Sequence, residues 1–419
     1  MEEYSLKKFF ICFIISVLAL SFASCDETNN TTANIANISD KKITIQAVTY
    51  FTADDQWAKA WEQAINEYMV KNPNVKIDND PTPSPNDAIR TRINADVQSG
   101  LVPDVLFYFN GIDAEPLIDS GKVMAWDDEL ANDSEWGSNF HLNSPIKASK
   151  INKKLYALPY IGYYEGLFIN KHLFEIYNIA IPETWDELLS ACDAFNEVGI
   201  IPMAQSLKDP RYLWELATLS AGGPNSHLEE NAYDPSWLVA LNAIKTLYDR
   251  HAFPSDAETL TDEQARSLFT SEKAAMFING SWIANSLKEN SYQIINFPVV
   301  PDGIGSKTDI VAGCGSGWFM NSEKNEENGG ESLKFIKYLT SPEVMAIFAE
   351  VGGVPMIKTE SKSKNGFDYF LNRATTKSNP IDSFLSKEAF NAINKNIYKF
   401  LIGEIDAQKL LNDSKALNN

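Results

Sequence analysis

Cysteine and histidine are the scarce residues of this chain, four of each in 419. Cys12 and Cys25 fall within the first 25 residues. Cys192 and Cys314 stand far apart, and no Cys-x-x-Cys spacing occurs, so neither a redox dithiol nor a cysteine zinc knuckle is encoded. An oxidising compartment would permit a Cys192–Cys314 disulfide, but buried free thiols are the simpler expectation. His141, His172, His227 and His251 are scattered singly, with no His-Glu-x-x-His, which removes the usual helical zinc site. There is no Gly-x-x-x-x-Gly-Lys-[Ser/Thr] loop. Gly313-Cys-Gly-Ser-Gly317 matches neither the dinucleotide fingerprint nor the nucleophile elbow. A catalytic Cys314 would need a histidine that nothing in the sequence places beside it. Positive charge is also short: 36 basic against 56 acidic side chains leave a net charge of −20, a surface that repels nucleic acid and anionic headgroups. Phe9 to Leu20 is apolar or small throughout but falls below the ~20 residues needed to cross a bilayer. No fixed-period repeat is visible. No cofactor or metal is implied.

The N-terminus carries an export pattern. Lys7 and Lys8 precede the apolar run, small residues (Ala23, Ser24) precede Cys25, and polar sequence follows at once. This resembles the lipobox of bacterial lipoproteins, although Phe22 stands where leucine is usual. The resemblance implies a signal peptide over 1–24 and acylation of Cys25 by chains such as palmitate. It also implies residence in the cell envelope, anchored to a membrane by lipid and facing the periplasm or the exterior. Two or more acyl chains anchor stably where one does not. Asp26 to Asp40 is polar and without periodicity, so 25–40 reads as a flexible tether.

From Lys42 onward strands alternate with helices. Ile43, Ile45 and Ala47 alternate with polar residues and lead into Tyr50-Phe51, a first strand. Trp57, Ala60, Trp61, Ala64, Ile65 and Tyr68 recur at helical spacing, and both tryptophans are assigned to core. Val75 and Ile77 make a second strand, Ala88 to Gln98 a helix stopped by Gly100, and Val105-Leu-Phe-Tyr-Phe109 a third strand, central and parallel by its apolar run. A second series begins near Leu155, with the strand Gly166 to Ile169. Thr184-Trp-Asp-Glu187 is a capping box whose Trp185 packs on its own lobe. A strand over Ala274 to Ile278 is followed by a further helix near Trp282. Val311 to Met320 reads as one glycine-rich strand. Helices follow at 331–339, from 342, and around 386–402 and 404–412. The alternation argues for doubly wound α/β construction.

Five segments stand in a telling order: Lys154-Leu-Tyr-Ala-Leu-Pro-Tyr, Gly166-Leu-Phe-Ile-Asn-Lys-His, Ile181-Pro-Glu-Thr-Trp-Asp-Glu, Leu268 to Trp282, and Leu333 to Glu343. Together they resemble the family 1 extracellular solute-binding proteins, the maltose-binding-protein-like receptors of ABC sugar importers. One departure is Ser271, where glycine is usual. The resemblance implies two doubly wound α/β lobes joined by a multi-crossing hinge, the periplasmic binding protein-like class II arrangement. Lobe 1 would take 41–158 with 302–355, and lobe 2 would take 159–301 with 356–419. It implies a monomer that captures a mono- or oligosaccharide between closing lobes and delivers it to the transmembrane subunits of an ABC permease, with no reaction catalysed. A lipoprotein that presents the ligand to a sensor is the alternative. A secreted glycoside hydrolase is a more distant one, since it needs only two carboxylates.

A sugar receptor wants exposed rings for C–H faces and carboxylates, amides and backbone N–H groups for hydroxyls. In α/β folds these sit at the C-terminal ends of strands. Tyr50 and Phe51 end the first strand, and Tyr108 and Asn110 end the third. Within each pair of adjacent rings, Tyr50/Phe51 and Tyr108/Phe109, only one faces a cleft. Tyr163, Tyr164 and Glu165 follow the first implied crossing. Asn279 and Trp282 end the 274–278 strand, Trp282 matching a sugar-stacking position of the family. Arg211, Tyr212 and Trp214 form another contact segment, and Gly313 and Trp318 lie on the return to lobe 1. Arg211 is read as a surface ion pair before an anion reader.

Overall fold

The computed structural model describes residues 42–418, except 54, 56, 85–86, 141–152, 289–290, 352–353 and 360–375. The export segment, the tether and Cys25 therefore lie outside the described residues. Within them no helix is long and apolar enough to cross a membrane.

Two mixed sheets carry the fold. The first runs in the order β2 (Val75–Asn79), β1 (Ile43–Val48), β3 (Val105–Phe109), β10 (Ser316–Met320), β4 (Leu158–Pro159). β1 pairs in parallel with β2 and β3, whereas β10 runs antiparallel to β3 and β4. β3 is thus central, but parallel on one side only, because its other neighbour is a returning strand. Its side chains divide by parity, as a period of two requires. Val105 and Phe107 enter a core with Trp57, Trp61, Trp318, Phe335 and Phe348, while Leu106 and Tyr108 enter one with Ile89, Ile93 and Leu117. Helices from late in the chain, Glu331–Leu339 and Pro342–Glu350, complete the first of these cores.

The second sheet is built on β5 (Ile161–Asn170). Its order is β12 (Thr376–Ser378), β9 (Asp309–Gly313), β5, β7 (Ala274–Gly280), β6 (Ile201–Ala204). β8 (Tyr292–Ile295) and β11 (Val354–Pro355) also pair with β5. Helices Trp185–Glu197, Arg211–Gly222, Ser236–Asp249 and Lys387–Leu401 bury their apolar faces over it. The capping box at Thr184 forms with both bonds present, and Trp185 packs edge-on to Phe297.

These sheets define two α/β lobes, and the chain changes lobe at three places. β4 leads into β5 through Tyr160. β9 in the second sheet is followed after Cys314-Gly315 by β10 in the first. After helix Pro342–Glu350 on lobe 1, β11 pairs with the start of β5, Ile357 rejoins the lobe 1 core and bridges Phe140, and the chain next enters the second sheet at β12. The second crossing corrects two expectations. The Val311–Met320 run is two strands in different sheets, because two residues break it at the hinge. The change of lobe falls there rather than near 302, since β9 pairs Gly313 and Ala312 with Tyr163 and Tyr164. The helix expected near Trp282 is a short 3-10 helix, Ser281–Ser286. Ser271 needs no glycine backbone: it has φ −90°, and Glu272 takes the positive φ of 59°.

Candidate functional site

The lobe 1 wall of the cleft is a stack. Tyr50, at the end of β1, lies 5.2 Å from Phe109 with planes 14° apart. The Arg90 guanidinium sits over the Phe109 ring at 4.2 Å, held by Asp113 at 2.9 Å and Asp87 at 3.1 Å. The Tyr50 hydroxyl donates to Ser316 Oγ at 3.0 Å at the start of β10, and the Asn110 N–H donates to the Gly315 carbonyl at 2.8 Å. Asp55 accepts the Trp57 N–H at 2.8 Å, and burial pushes its carboxyl up to about 6.

The lobe 2 wall is an aromatic cluster. Parity along β5 sends Tyr163, Glu165, Leu167 and Ile169 to one face and Tyr164 and Phe168 to the other. The Tyr163 ring rests where Cβ atoms on Gly313 and Gly315 would crowd it, at 3.2 and 2.9 Å. Its edge meets Trp282 at 5.2 Å, and Tyr212 meets Trp282 at the same distance from the opposite strand connection. Trp282 folds back over Gly280, where a Cβ would overlap the indole. Glycine is required here by close approach, not by backbone angle.

Beneath this cluster lie three carboxyls. Glu165 is 2% exposed and Glu215 equally so. Burial first raises both above the ordinary carboxylate range; the charge of Glu215 then raises Glu165 further and that of Asp382 raises Glu215, while the hydrogen bond between the two carboxyls lowers Glu215. Glu215 also accepts the Ile381 N–H at 3.0 Å. The adjacent carbonyls of Asn379 and Glu215 lie 2.7 and 3.2 Å from the two ring nitrogens of buried His227. This ties the turn Ile381–Ser383 to the helix Arg211–Gly222. Asp382 on that turn is raised by burial and feels Arg211 of its own lobe together with Asp113 and Arg90 of lobe 1. The lobes face each other at this point. Arg211 is chelated by Asp209, Nε at 3.1 Å and Nη2 at 2.8 Å. The ion-pair reading of this residue is the one the geometry matches.

Several residues expected at the site lie elsewhere. Phe51, 3% exposed, is in the lobe 1 core, and Tyr50, 8% exposed, belongs to the same core with its hydroxyl on Ser316. Tyr108 is core and Phe109 faces the cleft, the reverse of the expectation. Trp318 is fully buried between Trp61, Phe107 and Tyr160. Trp214 is fully buried against Trp237, since its helix turns Arg211 and Glu215, four apart, the other way. Tyr164 packs with Ile310, Ala312, Cys314 and Met356 behind the hinge. Asn279 is buried and donates to Asp262 at 2.8 Å, holding a carboxyl that burial pushes up to about 6. Cys192 and Cys314 are buried free thiols. Phe109, Arg90, Asp55, Glu215, Ser316 and Asp382 are brought to the cleft by the fold alone. The i, i+4 relation of Arg211 and Glu215 is the one signal the sequence offers for any of them.

Comparison with known proteins agrees with this architecture. A family model described as "Bacterial extracellular solute-binding protein" matches residues 54–346. The "Multiple sugar-binding protein" of Streptococcus mutans is 24% identical over 381 residues, spanning 86% of this chain and 84% of that protein. A structure from a study of xylan utilisation by the thermophilic bacterium Caldanaerobius polysaccharolyticus superposes with TM-score 0.78 at 22% identity, covering 90% of this chain and all of the other. The maltodextrin-binding domain MalE of Bdellovibrio bacteriovorus, bound to maltotriose, gives 0.71 at 18% identity, covering 89% and 98%. At these identities the structural likeness is one of fold.

Proposed function

Since the chain belongs to the bacterial extracellular solute-binding protein family, we propose that it is a receptor that closes two lobes on a carbohydrate and hands it to an ABC permease. The observation that carries this reading is the pairing of two aromatic walls across one hinge, Tyr50–Phe109 on lobe 1 and Tyr163–Trp282–Tyr212 on lobe 2. Ring faces accept the C–H patches of a pyranose, while Asp55, Asn110, Glu165 and the Gly313–Ser316 backbone are within the same walls to meet hydroxyls. Lobe 1 is taken as 41–158 and 314–358, and lobe 2 as 159–313 with the C-terminal helices. A ligand that touches both walls only when they approach supplies the differential affinity that drives closure. Moving such an equilibrium from 1:99 to 99:1 takes roughly 5.5 kcal/mol, within reach of a few hydrogen bonds and stacked rings. The relative from Streptococcus mutans is named for sugar binding, which favours this class of ligand. Cys25, as the lipid attachment point, would keep a monomeric receptor at the membrane beside its permease.

No step of catalysis is assigned. The most buried acids of the cleft, Glu165 and Glu215, are hydrogen-bonded to one another, whereas a glycosidase holds its two carboxyls about 5 Å or more apart to flank the scissile bond.

The test is a thermal-shift screen against malto-, cello-, xylo- and chito-oligosaccharides, with product analysis of each incubation. A ligand at 100 times its dissociation constant stabilises by about 2.7 kcal/mol, so a clear rise in melting temperature with no cleavage is expected. Cleavage, or no response to any carbohydrate, would reject the reading. Gly280→Ala offers a sharper check with whichever sugar responds. The added methyl displaces Trp282 from its seat, and calorimetry should show affinity lower by about tenfold or more while the far-UV spectrum is unchanged.

A further inference from the structure

Phe109 is the half-buried ring at the cleft end of β3, yet neither of its faces is open. Tyr50 stacks on it at 5.2 Å with planes 14° apart, and the Arg90 guanidinium lies over it at 4.2 Å from the ring centre. Two groups at those distances cannot share one face of a six-membered ring, so each takes its own. Tyr50 is itself 8% exposed and packs against Phe51 and Phe107. The stack therefore has one accessible end, and that end is Arg90, whose side chain keeps 27% of its surface in solvent.

Arg90 is held on three sides. Phe109 lies beneath it, Nε donates to Asp113 at 2.9 Å, and Nη1 donates to Asp87 at 3.1 Å. Among the described residues nothing accepts from Nη2. A guanidinium stays charged and cannot accept a bond, so Nη2 is a standing donor. The fork is immobilised before any ligand arrives, and little rotamer freedom is left to lose on binding. Asp113 belongs to the turn Gly111–Asp113, which packs against the turn Ile381–Ser383 of lobe 2. The Arg90–Asp113 pair thus stands where the lobes come together. Two carboxylates flank the one guanidinium, so the cluster has no positive surplus to attract an anion. What Nη2 suits is a neutral acceptor, a hydroxyl or ring oxygen. The slightly positive C–H patches of a sugar turn away from a cation, which leaves stacking to the lobe 2 wall.

Resting on the carbohydrate reading above and narrowing it, we propose that Arg90 is the hydrogen-bond donor with which lobe 1 holds a neutral sugar, through Nη2 to a hydroxyl or ring oxygen. Phe109 is then a positioning residue, which supports the guanidinium and does not itself stack on the ligand.

Isothermal titration with cello-, malto-, xylo- and chitotetraose picks the tightest-binding probe, and that tetraose is carried through a double-mutant cycle. Arg90→Ala should weaken it by at least about tenfold. Phe109→Leu should weaken it by about threefold to tenfold, and the double variant should bind within about twofold of Arg90→Ala, since the ring acts only through the guanidinium. Arg90→Lys keeps the charge but neither lies flat on the ring nor bridges two carboxylates. It should lose as much as the alanine variant, and it reads the result where alanine misfolds. Undiminished or tighter binding by Arg90→Ala, which uncovers Phe109, would mean that the ring holds the sugar. So would a further loss on adding Phe109→Leu to it. Either result would overturn the proposal and leave the carbohydrate reading standing. Failure of all four tetraoses to bind the wild type would overturn both.

Discussion

Trp282→Ala should weaken binding of the responding carbohydrate by about 30- to 100-fold, roughly 2–3 kcal/mol. Three contributions act together. The indole presents the largest flat surface in the lobe 2 wall, and its loss removes the stacking contact itself. It is also the only ring of that wall that touches both Tyr163 and Tyr212, at 5.2 Å from each, so both phenols lose the neighbour that fixes their orientation. The site then has to order them when ligand arrives, an entropic cost of about 0.5–1.5 kcal/mol for each immobilised side chain. Because Trp282 is half-buried and outside the hydrophobic centre of the lobe, melting temperature without ligand should change little. Calorimetry on folded protein checks the loss. A decrease of less than threefold would mean that the ring lines the cleft without holding the ligand. Phe is the informative second substitution, since it restores a ring but not the span that bridges two tyrosines.

Trp282 is readable in the sequence because a strong strand, Ala274 to Gly280, ends immediately before it, and the end of a strand in an α/β sheet faces the crevice. Single-residue parity is harder. Adjacent aromatics such as Tyr50-Phe51, Tyr108-Phe109 and Tyr163-Tyr164 announce that one member is exposed, but the choice depends on which helices cover each sheet face, and that is a tertiary fact. Trp214 and Trp318 illustrate the same limit: a tryptophan in a contact segment satisfies composition whether it points to a cleft or to a core. The lobe crossing at Cys314-Gly315 is hidden because both flanking strands are apolar and glycine-rich, so they read as one. Asp382 is invisible for another reason. It belongs to a turn whose Ile381 is anchored by the side chain of Glu215, 166 residues away, and no local pattern encodes such a meeting. What does survive is everything governed by local rules, including the capping box at Thr184 and the helical spacing of Trp57 and Trp61.

Raising the pH should destabilise this protein, and Glu165→Gln should remove part of that loss. The sign follows from proton counting. Glu165 and Glu215 bind protons more tightly in the folded chain than in the unfolded one, chiefly through burial. Asp55 and Asp262, each pushed up to about 6, behave alike. Each such group contributes its stability fully below its unfolded value, near 4, and loses it as pH rises through its folded value. The slope is about 1.4 kcal/mol per pH unit for each proton by which the states differ. The two aspartates act between about pH 4 and 6, and the glutamate pair extends the decline toward neutrality. Glu187 works in the opposite sense at the acid end: backbone N–H groups of Glu183 and Thr184 hold its carboxyl below the usual range, so that contribution disappears as pH falls through its folded value. Stability should therefore peak on the acid side of neutrality. Glutamine at 165 mimics the protonated acid, keeps a donor for Glu215 and cannot lose its proton. At pH 8.5 the variant should be more stable than the wild type by roughly 2 kcal/mol, a rise of about 3 °C or more in melting temperature, with little difference at pH 5. Melting curves across that range, taken without ligand and at fixed ionic strength, read the result directly. Parallel curves for the two proteins would mean that the carboxyls under the aromatic cluster do not share a proton, and the acid-rich floor of the cleft would then have to be balanced by some other means.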